Sequence, residues 1–168
     1  MTDNNYKTIV HPLEPFYTRD SKILILGSFP SVKTREYGFF YGHPQNRFWR
    51  VMEILFGEDL DNGIATRKDF LSRKKIALYD SIYQCDIVGS SDTSIKNAKP
   101  SDLSRIIKGA DINEVFLNGA TSYRYYKKYH EKGLGLEGVK LPSTSPANAR
   151  YSLDDLVSEW RVILKYLD

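Results

Sequence analysis

Three short apolar runs, separated by segments with helical periodicity, constrain the fold of this chain more than any other feature. They are KILILG (22–27), KIALYDSI (75–82) and EVFLNG (114–119). A weaker fourth run, GVKLP (138–142), must end at Pro142 because proline has no amide hydrogen for a sheet. Apolar residues do not alternate with polar ones in these runs, as is typical of a sheet covered on both faces. The pattern predicts an α/β fold with a short, mostly parallel four-stranded sheet.

Helical patterns lie between and after the strands. One predicted helix is Asn46–Phe56, whose large apolar residues fall on one face. Another is Ser101–Gly109, which ends on a glycine that suits a C-cap. The final helix begins at Ser152, which together with Asp155 forms a capping sequence. The chain of 168 residues has no internal repeat and no long linker, so we expect one domain, 1–168, in which 1–20 is an N-terminal extension.

The cysteine and histidine content excludes several kinds of site. Cys85 is the only cysteine, so intrachain disulfides, iron–sulfur clusters and cysteine-rich zinc sites are excluded. The three histidines are far apart in sequence and form no pair with metal-ligand spacing. We therefore expect neither a metal nor a cofactor.

Charge and hydropathy favour a protein of the cytoplasm. No run approaches the ~18 apolar residues of a membrane-spanning helix, and the N-terminus lacks the basic and apolar regions of a secretory signal. The formal net charge is +3, which permits nucleic-acid binding without requiring it. We expect a monomer with no membrane partner.

The loops that follow the strands are the expected location of a site, because ligands of open α/β sheets bind outside the carboxyl ends of the strands. The first loop, 27–49, has 23 residues and no convincing helix before Asn46. It contains neither GxGxxG nor GxxxxGK[ST], so it is neither a dinucleotide fingerprint nor a P-loop. It offers a small-residue turn, an aromatic cluster and one amide at the start of a helix, Asn46, which would also be a good N-cap.

Five segments together carry a family resemblance: GSFPS (27–31), YGHPQNRFW (41–49), LYDSIYQCDIVGSSDTSI (78–95), VFLNG (115–119) and LPSTSPANA (141–149). They resemble the motifs of the uracil-DNA glycosylase superfamily, and most closely its hypoxanthine-DNA (DNA-deoxyinosine) glycosylase branch. The resemblance runs from about residue 10 to the C-terminus. It implies a three-layer α/β/α sandwich and hydrolysis of the N-glycosidic bond of a deaminated base in DNA, without metal or cofactor.

The position of the catalytic group departs from most of the superfamily. Most members carry a water-activating Asp, Asn or Glu at the third position of the first motif, where this chain has Phe29. The hypoxanthine branch resembles this chain in lacking a polar group there and uses the Asn of its HPxNxFW motif. That resemblance implies that Asn46 is catalytic, while capping of the following helix remains the alternative.

A pocket for hypoxanthine needs donors for O6 and N7 and an acceptor for N1–H, together with a ring to stack on the base. Asp80 and Asn118 are equally consistent with turn formation, and His43 with an ordinary loop hydrogen bond. The candidate base-binding residues are Ser28, Phe29, Phe39, Phe40, Tyr41, His43, Asp80, Ser81 and Asn118.

The loop 143–149 is the expected DNA-engaging segment, because short hydroxyl side chains can approach phosphates and a small apolar tip can enter the space left by a flipped nucleotide. A proline-rich surface connection is the alternative. The candidate DNA-binding residues are Ser143, Thr144, Ser145, Pro146, Ala147, Asn148 and Arg150.

The sequence therefore predicts a monofunctional DNA glycosylase that acts on deoxyinosine by nucleotide flipping and an Asn-positioned water. Two alternatives remain open within the same fold: a uracil or thymine mismatch glycosylase, and a non-catalytic domain that binds damaged DNA. A protein that binds small inosine nucleotides is a third.

Overall fold

The structure, a computed structural model, describes residues 5–167. Its strands are β1 (Lys7–Val10), β2 (Ile23–Gly27), β3 (Ile76–Asp80), β4 (Ile82–Ile87), β5 (Lys96–Pro100), β6 (Glu114–Asn118) and β7 (Gly138–Leu141). Its α-helices are α1 (Val32–Tyr37), α2 (Phe48–Phe56), α3 (Ile64–Lys74), α4 (Ser104–Gly109), α5 (Ala120–Tyr129), α6 (Glu131–Leu134) and α7 (Leu153–Trp160). Two 3₁₀ segments, Asp92–Ser94 and Arg161–Tyr166, complete the regular structure of these residues.

The central sheet has four strands in the order β3-β2-β6-β7, and every neighbouring pair is parallel. All residues of β2 and β3 are buried, which explains why their sequences show no alternation of apolar and polar side chains. The predicted α/β class and four-stranded parallel sheet are confirmed.

The register of this sheet brings the functional loops together. Gly27, the last residue of β2, pairs with Asp80 at the end of β3, and Asn118 of β6 pairs with Leu141 of β7. Because the strands are parallel, all four carboxyl ends lie at one edge of the sheet. The loops that leave this edge therefore share one cleft.

The helix caps determine where several elements begin and end. Ser152 accepts the N–H of Asp155 and the Asp155 carboxylate accepts the N–H of Ser152, so the predicted capping box is present. The last helix is shorter than its periodicity suggested, since the chain tightens into a 3₁₀ segment after Trp160. The helix predicted at Asn46 begins at Phe48, and its N-cap residue is Arg47 rather than Asn46.

A second sheet was not predicted. Ser81 separates β3 from β4, and β4 pairs antiparallel with β1 and β5. The run 75–82 therefore belongs to two strands of different sheets. Part of the segment expected to be an N-terminal extension, 1–20, forms β1 of this sheet, while residues 1–4 lie outside the described part of the chain.

Two local predictions were wrong. The loop 27–49 contains α1, which Ser31 caps by accepting the N–H of Thr34 and which ends at Gly38 with a φ of 93°. Gly109 is the last residue of α4 rather than a left-handed cap, because the chain continues extended at Ala110. A side chain at Gly109 would place its Cβ 2.6 Å from the Tyr17 ring, so close packing explains this glycine.

Within residues 5–167, no helix combines the length and the apolar character that crossing a bilayer requires.

Candidate active site

A cavity of about 830 Å³ opens at the carboxyl edge of the parallel sheet. Its wall includes the last residues of all four strands: Gly27, Asp80, Asn118 and Leu141. The volume lies within the range typical of small-molecule sites and is large enough for a nucleotide. The loop after β2 and the segment 143–151 supply most of the remaining wall.

Asn46 lines this cavity just before α2. Its Oδ1 atom accepts the N–H of Phe48 at 2.9 Å and the hydroxyl of Thr144 at 2.8 Å. The bond from Phe48 fixes the orientation of the amide, since a backbone N–H requires an oxygen. The Nδ2 group has no hydrogen-bond partner among residues 5–167. Asn46 thus binds the N–H of Phe48 with its oxygen and leaves its nitrogen for a ligand.

Thr144 is fully buried and joins the two asparagines of the site. Its hydroxyl donates to Asn46 and accepts from Nδ2 of Asn118 at 2.9 Å. Its backbone N–H donates to Oδ1 of Asn118, also at 2.9 Å. These bonds fix the Asn118 amide, which also interacts with the Tyr41 hydroxyl and partly opposes the rise that burial causes in the pKa of Tyr41. A continuous polar chain therefore runs along the cavity floor from α2 to β6.

Asp80 is held by a residue that the sequence did not single out. Oδ2 of Asp80 lies 2.7 Å from Nε2 of His11, and both side chains are buried. Leu13 donates its N–H to Nδ1 of His11, so the ring hydrogen is on Nε2 and points to Asp80. The N-terminal segment thereby orients a carboxylate at the end of β3.

A second carboxylate lies on another side of the cavity. Asp92, in the first 3₁₀ segment, accepts the Ser28 hydroxyl with both oxygens, at 3.0 and 3.1 Å. Burial raises the pKa of Asp92, and the hydrogen bond from Ser28 partly opposes that rise. A carboxyl group with a raised pKa in a cleft is typical of functional sites.

The aromatic candidates fall into two groups. Phe29, Phe40 and Tyr41 line the cavity. Tyr41 has a φ of 56°, which is uncommon for a residue with a large side chain, and its ring stacks on Phe48 with centroids 4.2 Å apart. Phe39 is buried away from the cavity and packs against Phe16 and Trp49.

The segment 143–151 is fastened to α2 by Arg47. The guanidinium donates to the carbonyls of Ser145 and Asn148 at 3.0 and 2.9 Å and also to that of Tyr151. Charge-assisted bonds of this kind are among the stronger ones in proteins. The guanidinium of Arg47 therefore makes hydrogen bonds within the protein rather than offering them to a ligand.

Most sequence-predicted site residues meet at this cavity. Four do not line it: Phe39, Pro146, Ser81, which is fully buried near Ser122, and His43, whose Nδ1 accepts the N–H of Gln45. The residues that do line it are Asn46, Ser28, Phe29, Phe40, Tyr41, Asp80, Asn118, Ser143, Thr144, Ser145, Ala147, Asn148 and Arg150.

Sequence reasoning missed His11 and Asp92 as contributors to the site and did not predict that Arg47 binds the carbonyls of segment 143–151. The His11 and Arg47 contacts span 69 and about 100 residues, which no local pattern signals. Asp92 lay within a quoted motif, and its acidic side chain in a serine-rich turn was the available signal. The described residues contain no group of three or more His, Cys, Asp or Glu side chains that could hold a metal ion.

Comparison with known proteins identifies relatives over almost the whole chain. Residues 14–166 match the uracil DNA glycosylase superfamily. A protein of Methanosarcina barkeri named hypoxanthine DNA glycosylase is 35% identical over 157 residues, which cover 90% of this chain and 95% of the relative. A protein of the same name from Methanosarcina acetivorans is 31% identical over 149 residues, covering 88% and 92%.

A solved structure shares the fold. The solution NMR structure of a candidate uracil DNA glycosylase from Methanosarcina acetivorans has a TM-score of 0.75 and 30% identity, with 91% of this chain and 94% of that chain covered. The match over 14–166, the identities of the relatives and the position of the cavity agree with one another. This chain belongs to the uracil DNA glycosylase superfamily.

Proposed function

We propose that this protein is a DNA repair glycosylase that hydrolyses the N-glycosidic bond of deaminated bases in DNA, chiefly hypoxanthine. The observation that carries the proposal is a cavity of nucleotide size at the carboxyl ends of the parallel strands, and the side-chain amide of Asn46 lines this cavity. Two relatives named hypoxanthine DNA glycosylase, which match most of the chain, support hypoxanthine as the base.

The cavity requires the target nucleotide to leave the helix. An N-glycosidic bond inside a duplex is out of reach of a protein side chain, so the nucleotide must flip into the pocket. The depth of the cavity, whose floor includes Gly27 at the end of β2, suits a base that enters with its sugar toward the opening. The sugar then lies on the side of Asn46 and the base on the side of Asp80.

On the sugar side, hydrolysis requires only a group that positions the attacking water. Departure of the base develops positive charge on the sugar, as in hydrolysis of glycosides. A cationic sugar reacts readily with water, so a neutral amide that positions the water is sufficient. The C1′–N bond breaks with its electrons on the base, and the proton that the water loses on forming the C1′–O bond neutralises the released base. Asn46 suits this role because its Nδ2 group is free and its orientation is fixed by Phe48 and Thr144.

The base side needs stacking and hydrogen bonds. Phe29, Phe40 and Tyr41 offer aromatic surface, and stacking of a base on an aromatic ring is worth ~1–3 kcal/mol. Ser28 and Asp92 add a polar pair that can contact the departing purine.

The DNA backbone is expected to contact the segment 143–150. Ser143 and Ser145 each accept a backbone N–H through the side-chain oxygen, so their hydroxyl hydrogens remain for phosphate oxygens. Arg150 and Lys140 also line the cavity and provide positive charge.

The proposed function is tested with a panel of oligonucleotides that each contain one hypoxanthine, uracil, xanthine or thymine mismatch. We expect release of free hypoxanthine from the deoxyinosine substrate and strand breakage only after alkali treatment. Preferential release of uracil or thymine would instead support the mismatch glycosylase. Binding without an abasic product would support a damage-binding domain, and action on free inosine nucleotides alone a nucleotide-binding protein.

The DNA-engaging role of segment 143–149 predicts the effect of Ala147→Asp. Ala147 is exposed and lines the cavity, so a carboxylate there would face the DNA backbone. Like charges placed together at an interface cost several kcal/mol, and we expect processing of duplex deoxyinosine to fall by ~10-fold or more. Processing of single-stranded deoxyinosine should fall less, because a single strand has no space inside a duplex for the loop to enter.

Ala149→Asp is the matched control. It introduces the same charge two residues away, at an exposed position that does not line the cavity. We expect a smaller loss on duplex substrate. Equal losses for the two variants, or equal losses on duplex and single strand, would contradict insertion of the loop.

A further inference from the structure

Hypoxanthine leaves the sugar with the electrons of the broken bond, and a purine can take up a proton as it leaves. Its N7 atom has a free lone pair, and protonation there lets the base depart as a neutral molecule rather than as an anion. Uracil has no ring nitrogen with a free lone pair. A glycosylase that acts on hypoxanthine therefore gains from a general acid on the base side of its cavity.

The cavity wall offers few groups for this role. No histidine of the described residues lines it. Burial raises the pKa of the Tyr41 hydroxyl well above its usual range, so this phenol keeps its proton. Glu159 and Lys140 line the wall but are exposed to solvent. The remaining candidates are the two carboxyl groups that are shielded from solvent, Asp80 and Asp92.

The two carboxyl groups have different partners. Oδ2 of Asp80 accepts the ring N–H of the buried His11 at 2.7 Å. Asp92 accepts only the neutral hydroxyl of Ser28, at 3.0 and 3.1 Å, and has no ion pair with any residue in 5–167. Two carboxyl groups at one cavity repel each other when both are ionised, so the one with the weaker partner takes up a proton first. That group is Asp92.

The charges around Asp92 act in the same direction on balance. Burial raises the pKa of Asp92, and the negative charge of Asp80 on β3 adds to the rise. The hydrogen bond from Ser28 and the positive charge of Arg124 on α5 oppose the rise without cancelling it. When Asp92 is protonated, one oxygen accepts the Ser28 hydroxyl and the other carries a hydrogen for a ligand.

The segment that carries Asp92 is fixed on both sides. The hydroxyl oxygen of Ser90 accepts the N–H of Val32, the first residue of α1, at 2.9 Å. The hydroxyl oxygen of Ser94 accepts the N–H of Val88 at 2.9 Å. A general acid is effective only when it is held close to the atom that it protonates. Asp92 meets this condition because its backbone is anchored and its side chain lines the cavity.

We propose that Asp92 is the general acid of base release and that its carboxyl group donates a proton to N7 of hypoxanthine as the bond between C1′ and N9 breaks. The electrons of that bond go to the base, which leaves as neutral hypoxanthine. Water then forms the C1′–O bond, and the proton that it loses replaces the one that Asp92 gave to the base. Ser28 is the positioning residue that holds the carboxyl group. This inference rests on the proposed glycosylase function and assigns the residue that activates the leaving group.

The first test compares single-turnover release of hypoxanthine by the wild-type protein and by Asp92→Asn from acidic to mildly alkaline pH. Asparagine keeps an oxygen for the Ser28 hydroxyl but has no proton to transfer, so we expect release to be ~100-fold slower or more. Because the protonated carboxyl is the active form, wild-type release should decline as the pH rises through the pKa of Asp92. The variant should lack this decline. The same decline at the same pH in Asp92→Asn would belong to another group and would overturn the assignment.

Two exposed cations of α5 provide matched charge variants. Arg124 and Lys128 lie one turn apart, each over the ring of the next residue at 5.1 Å, and neither lines the cavity. Only Arg124 lowers the pKa of Asp92. In low-salt buffer, Arg124→Gln should move the decline in release to higher pH, whereas Lys128→Gln should leave it in place. Equal shifts in the two variants, or no shift in either, would contradict the assignment of the decline to Asp92.

The positioning role of Ser28 is tested by its conservative replacement. Ser28→Ala removes a hydroxyl that favours the ionised carboxyl, so the decline should move to higher pH, and release should also slow because Asp92 is no longer held. Ser28→Thr keeps the hydroxyl and should restore both properties. Slow release by Ser28→Ala with the decline at the wild-type pH would mean that Ser28 does not act through Asp92.

The protonation of Asp92 is also measured without the reaction. An NMR titration of the carboxyl carbons of isotope-labelled aspartate in the free wild-type protein should show a raised pKa for Asp92. The same signal should be missing in Asp92→Asn and should titrate at still higher pH in Arg124→Gln. An Asp92 carboxyl that titrates in the ordinary range of aspartate would overturn the proposal, whatever the rate of the variant.

The outcomes separate this inference from the proposed function. If the wild-type protein releases no deaminated base, the glycosylase proposal fails. If it releases hypoxanthine and Asp92→Asn keeps the wild-type rate and pH profile, only the assignment of Asp92 fails.

Discussion

Replacing Asn46 with alanine is expected to slow single-turnover release of hypoxanthine ~100-fold or more, the scale of losing a positioned catalytic group. The same variant should lose ~1 kcal/mol of unfolding free energy, because Oδ1 also accepts the N–H of Phe48 at the start of α2. DNA binding should change little. Rapid-quench kinetics, thermal melting and a binding titration on one preparation measure the three effects.

Asn46→Ser separates the two roles of this side chain. A serine oxygen can also accept the Phe48 N–H, so stability should recover. Serine lacks the amide nitrogen that faces the cavity, so base release should remain as slow as in the alanine variant. Recovery of release together with stability would mean that Asn46 serves only to accept the N–H of Phe48 at the start of α2.

Thr144→Val is also expected to have a large effect on base release. Valine has the shape of threonine but leaves Nδ2 of Asn118 and Oδ1 of Asn46 without the hydroxyl between them. Unpaired buried groups cost ~1–3 kcal/mol, and the unfolding free energy should fall by that amount. Base release should fall ~10- to 100-fold, since small displacements of catalytic groups are costly.

Thr144→Ser is the control for this substitution. It keeps the hydroxyl that joins the two asparagines and removes only a methyl group, so base release should stay close to that of the wild-type protein. Chemical denaturation and single-turnover kinetics measure the two variants in parallel. A Thr144→Val protein with reduced stability and an unchanged rate of release would contradict a role for Thr144 in the site.

The sequence predicted the central sheet correctly because a strand that is buried on both faces is recognisable as a continuous run of apolar residues. A strand covered on both faces has no position for an alternating polar side chain, and β2 and β3 are fully buried. It did not predict the antiparallel sheet. β1 and β5 are mostly exposed and polar, with sequences KTIV and KNAKP, so their pairing depends on contacts with β4 rather than on local composition.

Helix α1 was missed for a related reason. Its signals were Ser31 as a cap and Gly38 as a stop, but the six residues between them have no apolar stripe and bury only Thr34. A short helix of this kind is stabilised by its surroundings more than by its own periodicity.

The sequence by itself determined the order of the four parallel strands along the chain, the buried character of β2 and β3 and, through its motifs, which loops carry the site. Only the tertiary structure decided how the polar groups are paired. The links from His11 to Asp80, from Ser28 to Asp92 and from Thr144 to Asn46 join residues 64 to 98 positions apart. Local patterns record propensity and burial, which depend on neighbouring residues, whereas these pairs exist only because the tertiary fold brings segments of both sheets together at the cavity.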